Sequence, residues 1–166
     1  MKKKHPSLMV VPKDDLLCII IDIYKQACDR LPLPKEVVIC NSTTSHEKIE
    51  LLLRRALLDP DSIYTVAFID ELDYNVSEQA FKTLTLLLQE RVEKVMGDAN
   101  YNLLLMCASE KEDGSYLASA WDEYHIVAHR CPSQEETRKF LFSQFKYVSA
   151  TSGTDSPYAA AADEDR

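Results

Sequence analysis

Glycine is scarce in this chain: its 166 residues include only three, at positions 97, 114 and 153. A phosphate-binding loop of the form G-x-x-x-x-G-K-[ST] depends on glycine, because an unhindered backbone lets consecutive N–H groups converge on phosphate oxygens. None of the three lies between the first predicted strand, 7–11, and the first predicted helix, where such a loop would stand. The scarcity therefore argues against a conventional phosphate loop at that place.

The connection that stands there instead reads Pro12-Lys13-Asp14-Asp15. Proline removes one N–H donor, the two aspartates repel phosphate, and a single lysine cannot replace a nest of N–H groups. Charge-assisted hydrogen bonds contribute ~1.5–3 kcal/mol each, so losing three or four weakens triphosphate binding by at least ~10³-fold. We therefore expect no cofactor in this chain itself.

Paired cysteines are lacking too. The five cysteines are odd in number, widely spaced and without a C-x-x-C pair, so they indicate neither a disulfide framework nor a zinc site. The series His125-x-x-x-His129-x-Cys131 suggests a metal by composition, but residues four apart on a strand lie ~13 Å from each other. We expect no metal site, and buried thiols in a reducing, cytoplasmic compartment.

A surplus of basic residues and a long apolar run are missing as well. The formal net charge is −8, whereas nucleic acids and anionic membranes attract clustered Lys and Arg. No apolar stretch approaches the ~20 residues that a membrane-spanning helix needs, and the run after the basic start is too short for a signal peptide. Nucleic-acid partners and a transmembrane segment are therefore not expected.

What the sequence does contain is a regular alternation of apolar, β-prone segments and helical patterns. A helix is predicted after Asp15, and three later helices begin with capping-box spacing, at Thr44/Glu47, Asn75/Glu78 and Ser133/Glu136. Strands are predicted at 7–11, 36–40, 63–68, 101–107 and 125–129.

This alternation predicts an α/β fold with three layers, in which a parallel sheet carries helices on both faces. The predicted domain spans residues 1–147. From residue 148 the sequence loses its periodicity and becomes small, polar and acidic, so residues 148–166 are predicted to be a disordered acidic tail. Ligands of such sheets bind beyond the carboxyl ends of the strands.

Polar residues follow two of the predicted strands at that edge. The segment IYTVAFIDELDY, 63–74, ends an apolar strand in Asp70-Glu71, and Ser109 follows the next strand. The carboxylates suit a magnesium ligand and a water-orienting base. Without a phosphate cradle, a polar strand end that faces solvent or caps the next helix explains them better. Trp121 is interpreted as an aromatic lid over the sheet edge or, alternatively, as an anchor for a neighbouring module.

The order of these parts resembles the core of an AAA+ ATPase, a P-loop-NTPase-like fold. TVAFIDE, YNLLLMCAS and RCPSQEETRKFLF stand, in that order, for the strand ending in a Walker B Asp-Glu pair, the sensor strand and the last helix. The resemblance implies catalytic roles for Asp70 and Glu71 and a sensor role for Ser109. Since the phosphate-binding loop is lacking, we interpret the Walker B pattern as degenerate.

A closer resemblance is to the mysterin family of giant ubiquitin ligases built around a ring of AAA+ modules. It rests on LPLPKEVVICNSTTSHEKIELLLRRALL, AFIDELDYNVSEQAF and YLASAWDEYHIVAH, and covers roughly residues 6–145. The resemblance implies a fragment of a parent that hydrolyses Mg·ATP and transfers ubiquitin, is cytoplasmic and associates with lipid droplets. It also implies neighbouring AAA+ modules as partners, and the ubiquitin machinery only through the parent.

The sequence leaves three functions open. The preferred one is a non-catalytic AAA+-like module with a structural or interaction role in such a parent. The second is a truncated ATPase in which Asp70-Glu71 completes a site with a phosphate loop from outside this chain. The third is a free-standing Rossmann-like adaptor that shares only the layer plan. This chain alone is not expected to be an enzyme.

Overall fold

The computed structural model describes residues 6–94, 101–110, 115–127 and 132–151. The chain divides into two compact units, Met1–Cys131 and Pro132–Arg166. The second unit contains one described helix, α5 (Gln134–Thr151). The first contains β1 (Ser7–Val11), α1 (Leu16–Cys28), β2 (Val37–Ile39), α2 (His46–Leu58), β3 (Ile63–Ala67), α3 (Tyr74–Lys94), β4 (Asn102–Ala108), α4 (Tyr116–Ala120) and β5 (His125–Ile126), with short 3₁₀ turns at Ile69–Glu71 and Asp122–Tyr124.

The strands of the first unit form one parallel sheet in the order β2-β3-β4-β1-β5. Ala67 of β3 pairs with Met106 of β4, and Val11 of β1 pairs with Ala108 of β4. The carboxyl ends of β3, β4 and β1 therefore lie side by side. The α/β fold class predicted from the sequence is confirmed.

Helices cover both faces of this sheet because the strand side chains alternate between two cores. Leu103, Leu105 and Cys107 of β4 belong to the core that α2, α3 and α4 close, whereas Leu104 and Met106 belong to the core that α1 closes. Burial of each such apolar side chain stabilises the fold by about 1.5–3 kcal/mol. The buried strands thus read as nearly continuous apolar runs, as is usual in parallel sheets.

The connection between α1 and β2 is held by a buried carboxylate. Glu36 is 1% exposed and accepts two hydrogen bonds from the Arg30 guanidinium, at 2.8 and 2.7 Å. The backbone N–H of Leu33 donates to the same carboxylate at 2.9 Å. The bidentate pair fixes the path of the chain into the edge strand β2, at the end of the sheet opposite the predicted site.

Several element ends differ from the predicted ones, and two of these differences bear on the site and on the predicted tail. The strand β3 ends at Ala67, because Phe68 adopts a left-handed backbone conformation with φ 57° and ψ 47°. The helix α5 runs to Thr151, so residues 148–151 are helical, while residues 152–166 of the predicted tail lie outside the described part. In the described residues, no helix has the length and apolar character that crossing a membrane requires.

Candidate functional site at the carboxyl edge of the sheet

The acidic pair lies in a short turn after β3 and does not continue the strand. A bulky residue at positive φ is uncommon, and Phe68 in this conformation redirects the chain into the 3₁₀ turn Ile69–Glu71. The Glu71 N–H donates to the Phe68 carbonyl at 3.0 Å, which closes the turn. The side chains of Asp70 and Glu71 consequently point to different partners.

Asp70 joins the ends of two strands. Its Oδ1 accepts a hydrogen bond of 2.9 Å from the N–H of Ala108, the last residue of β4. Because β3 has already ended at Ala67, this carboxylate satisfies a donor that lies beyond the end of that strand. Its other oxygen, Oδ2, is buried and makes no hydrogen bond within the described residues. Asp70 therefore has an evident structural role.

Glu71 faces the connection between β1 and α1. The Lys13 ammonium Nζ lies 2.8 Å from Glu71 Oε1. This hydrogen bond and the charge of Glu71 raise the pKa of Lys13 above its usual 10.5, with smaller contributions from Asp70 and Glu110. Lys13 is thus already paired with one member of the predicted catalytic pair.

A second glutamate, which the sequence reasoning missed, contacts the same lysine from the residues just after β4. The backbone N–H of Lys13 donates to both carboxylate oxygens of Glu110, at 3.2 Å each. Hydrogen bonds from Glu110's own N–H and from the Lys13 N–H hold the pKa of Glu110 below its usual 4.5. The available signal was the position of Glu110 directly after a buried strand and Ser109, at the edge where such sheets bind ligands.

Most N–H groups of the turn after β1 donate to acceptors within the chain. The Asp15 N–H donates to the Pro12 carbonyl at 3.0 Å, and the Leu16 N–H donates to the Lys13 carbonyl at 3.4 Å. With the Lys13 N–H on Glu110, three of the four N–H donors from Lys13 to Leu16 have acceptors within the chain. A triphosphate needs such donors to converge on it. The absence of a bound nucleotide, expected from the sequence, stays a prediction.

Ser109 lies at the same edge, as predicted, but its hydroxyl contacts the next residue, Glu110. Its hydroxyl Oγ is 3.4 Å from Glu110 Oε2. The structure therefore brings Asp70, Glu71 and Ser109 to one edge, together with Lys13 and Glu110. The catalytic and sensor roles assigned to the first three residues stay predictions.

Trp121 belongs to an aromatic cluster of the first unit. It is 8% exposed, and its ring centroid lies 6.0 Å from that of Phe81 and 5.3 Å from that of Tyr124. Such edge-on and tilted arrangements are favourable between aromatic rings. Of the two interpretations offered above, its burial supports the lid and not the exposed anchor.

The residues considered for a metal are only partly described. His125 lies 3.9 Å from Asp122, as a weak pair at the surface. His129 and Cys131 lie outside the described residues. Among the residues that are described, no group of three or more His, Cys, Asp or Glu side chains could hold a metal ion.

A parallel sheet in the order β2-β3-β4-β1-β5, with helices on both faces and acidic residues after β3 and β4, defines an AAA-like α/β domain. Comparison with known proteins gives the particular family. The family model for the RNF213 AAA domain matches residues 6–126. The chain belongs to this family, and the mysterin-type membership expected from the sequence is confirmed.

Curated relatives agree with that assignment. The chain is 31% identical over 127 residues to mouse E3 ubiquitin-protein ligase RNF213, a match that covers 74% of this chain. It is 27% identical over 151 residues to the human protein of that name, and 25% identical over 151 residues to zebrafish E3 ubiquitin-protein ligase rnf213-beta. These matches cover only 2–3% of the relatives' own lengths.

Proposed function

We propose that this chain is a non-catalytic AAA+ module that serves an RNF213-type E3 ubiquitin-protein ligase as a structural or interaction unit. The observation that carries the proposal is the contact of Lys13 with two glutamates. Its ammonium is paired with Glu71 and its backbone N–H with Glu110. The groups that would otherwise face a phosphate are thus bound to carboxylates of the chain itself.

The rest of the edge supports the same function. Asp70 Oδ1 is hydrogen-bonded to the end of β4, so using this oxygen as a ligand would release a backbone donor. The turn between β1 and α1 has no glycine, and positive φ angles of the kind a phosphate nest uses are costly for other residues. Both features favour a carboxyl edge whose polar groups stabilise the fold and do not bind a nucleotide.

The partners follow from the class of domain. AAA-type domains assemble with other AAA modules, so neighbouring modules of a ring are the proposed partners. Ubiquitin transfer and ATP hydrolysis would then belong to other parts of the parent protein, which this chain would serve by position. The proposed location is the cytoplasm, with lipid droplets as a site of the parent.

Calorimetric titration of the chain with Mg·ATP tests this proposal. We expect no saturable heat at millimolar nucleotide, because at least ~10³-fold of affinity is lost with the phosphate contacts. Asp70→Asn should give the same flat titration as the wild type. Saturable, magnesium-dependent binding that Asp70→Asn abolishes would contradict the proposal.

That contrary result would favour the second candidate, an ATPase site completed from outside the chain. The observation in its favour is the buried Asp70 Oδ2, which makes no hydrogen bond within the described residues. Adding a neighbouring module of the parent to the titration extends the test. Nucleotide binding by the mixture, but by neither component alone, is the result expected of a shared site.

A further inference from the structure

We infer that Glu110 is an internal substitute for a bound anion, and that it closes the turn between β1 and α1 against phosphate groups. This inference rests on the proposed function. In a module that binds no nucleotide, Glu110 would hold the turn between β1 and α1 at the carboxyl edge of the sheet.

The geometry of the carboxylate is the first argument. Glu110 Oε1 and Oε2 each lie 3.2 Å from the backbone nitrogen of Lys13, so the two oxygens share one N–H donor. A phosphate oxygen would need to accept from that same donor. Glu110 is 97 residues away along the chain and is brought there by the parallel pairing of β1 with β4. The contact is therefore a product of the fold and not of local sequence.

Charge is the second argument. Among the described residues, the carboxylates whose charge acts on the Lys13 ammonium are Glu71 and Asp70 from the turn after β3 and Glu110 from just after β4. They present three formal negative charges against one ammonium. A phosphate that approached this edge would meet net negative charge as well as an occupied donor, and the repulsion adds to the lost hydrogen bond. Removing Glu110 lowers both obstacles.

Titration of the contact by NMR tests it without any ligand. The Lys13 amide resonance of the wild-type chain should shift as Glu110 takes up its proton, with a midpoint below the usual 4.5 of a glutamate. In Glu110→Gln this titration should vanish, while the titrations of the other carboxylates remain. A Lys13 amide that is equally indifferent to pH in both proteins would overturn the inference.

The second test measures access of an anion with tripolyphosphate as the probe. At constant ionic strength, Glu110→Ala should bind it at least about tenfold more tightly than the wild type, since one charge-assisted competitor is gone. The readout is the rise of the unfolding temperature with ligand concentration. The same measurement with inorganic phosphate shows whether binding requires several linked phosphates or only a single phosphate group. Tighter binding of either anion by Glu110→Ala than by the wild type supports closure of the turn by Glu110.

Glu135→Ala is the matched control, because it removes one exposed carboxylate, 76% accessible, from α5. It should respond to tripolyphosphate as the wild type does. A folded Glu110→Ala variant that stays as unresponsive as this control would overturn the inference but leave the proposed function standing. Binding of Mg·ATP by the wild-type chain would instead contradict the proposed function. If Glu110→Ala does not fold, the NMR titration decides.

Discussion

Each of the two ends of the sheet carries an ion pair, yet the two pairs differ in burial and in geometry. Between α1 and β2, Arg30 grips Glu36 with two hydrogen bonds, and Glu36 is 1% exposed. At the carboxyl edge, Lys13 meets Glu71 through one contact, and their side chains are 52% and 27% exposed. The difference teaches that the first pair is part of the packed fold, while the second lies accessible to solvent at the carboxyl edge.

The largest expected effect is the loss of the buried carboxylate. Glu36→Ala should lower the free energy of unfolding by about 3 kcal/mol, because it leaves the Arg30 guanidinium and the Leu33 N–H without their acceptor. This cost lies at the lower end of the range for buried pairs, because the Arg30 side chain is 37% exposed. Urea denaturation followed by circular dichroism measures the change.

The control for that measurement is Glu78→Ala, which breaks the exposed pair with Lys82 one turn along α3. Exposed pairs of this kind contribute little, so its denaturation midpoint should stay close to that of the wild type. Equal destabilisation by the two variants would contradict the distinction between a buried and an exposed pair.

Asp70→Ala should have the next largest effect. It deprives the Ala108 N–H of its acceptor at 2.9 Å, and an unsatisfied backbone donor costs about 1–3 kcal/mol. Asp70→Asn keeps an oxygen at this place and should lose clearly less stability. If both variants were equally unstable in urea, the charge of Asp70 and not its acceptor oxygen would hold the strand ends together.

The pH dependence of stability separates the two regions further. The hydrogen bonds from Arg30 hold the pKa of Glu36 below its usual 4.5. The folded-state pKa is thus lower than the unfolded one, so the pair's contribution is fully present above about pH 4.5 and is lost as the pH falls through the folded-state value. The difference in unfolding free energy between wild type and Glu36→Gln should therefore shrink in that acidic range. A constant difference down to pH 3 would contradict the assignment.

How far the sequence predicted these features depends on the distance between the residues involved. The strands and the order of elements followed from apolar runs and helical periodicity, which are local. The capping pair Ser133 and Glu136 also forms as predicted, with contacts of 3.1 and 3.2 Å between each side chain and the other's N–H. By contrast, α3 begins at Tyr74, and Asp73, not Asn75, provides the oxygen, since Asp73 Oδ1 accepts from the Asn75 N–H at 2.9 Å.

The candidate site was predicted only in part for the same reason. Asp70, Glu71 and Ser109 were placed at the correct edge, because each follows a recognisable strand. The left-handed Phe68 has no local signal, since an aromatic residue gives no preference for positive φ. Glu110 lies next to Lys13 only because β1 pairs with β4. That strand order is a property of the tertiary structure, and local sequence patterns do not reveal it.

The smallest expected effect on stability comes from Lys13→Met, and it is the most informative about the carboxyl edge. Glu71 keeps access to water when the Lys13 ammonium is lost, so no buried charge is left without a partner. The Arg30–Glu36 pair differs, because the Glu36 carboxylate is buried. The unfolding midpoint should move little, and less still at high salt, because exposed charges are screened. Arg54→Met, which breaks the exposed pair with Glu50 on α2, is the control. A loss as large as that of Glu36→Ala would mean that Lys13 is a central support of the fold, and the contrast between the two ends of the sheet would then disappear.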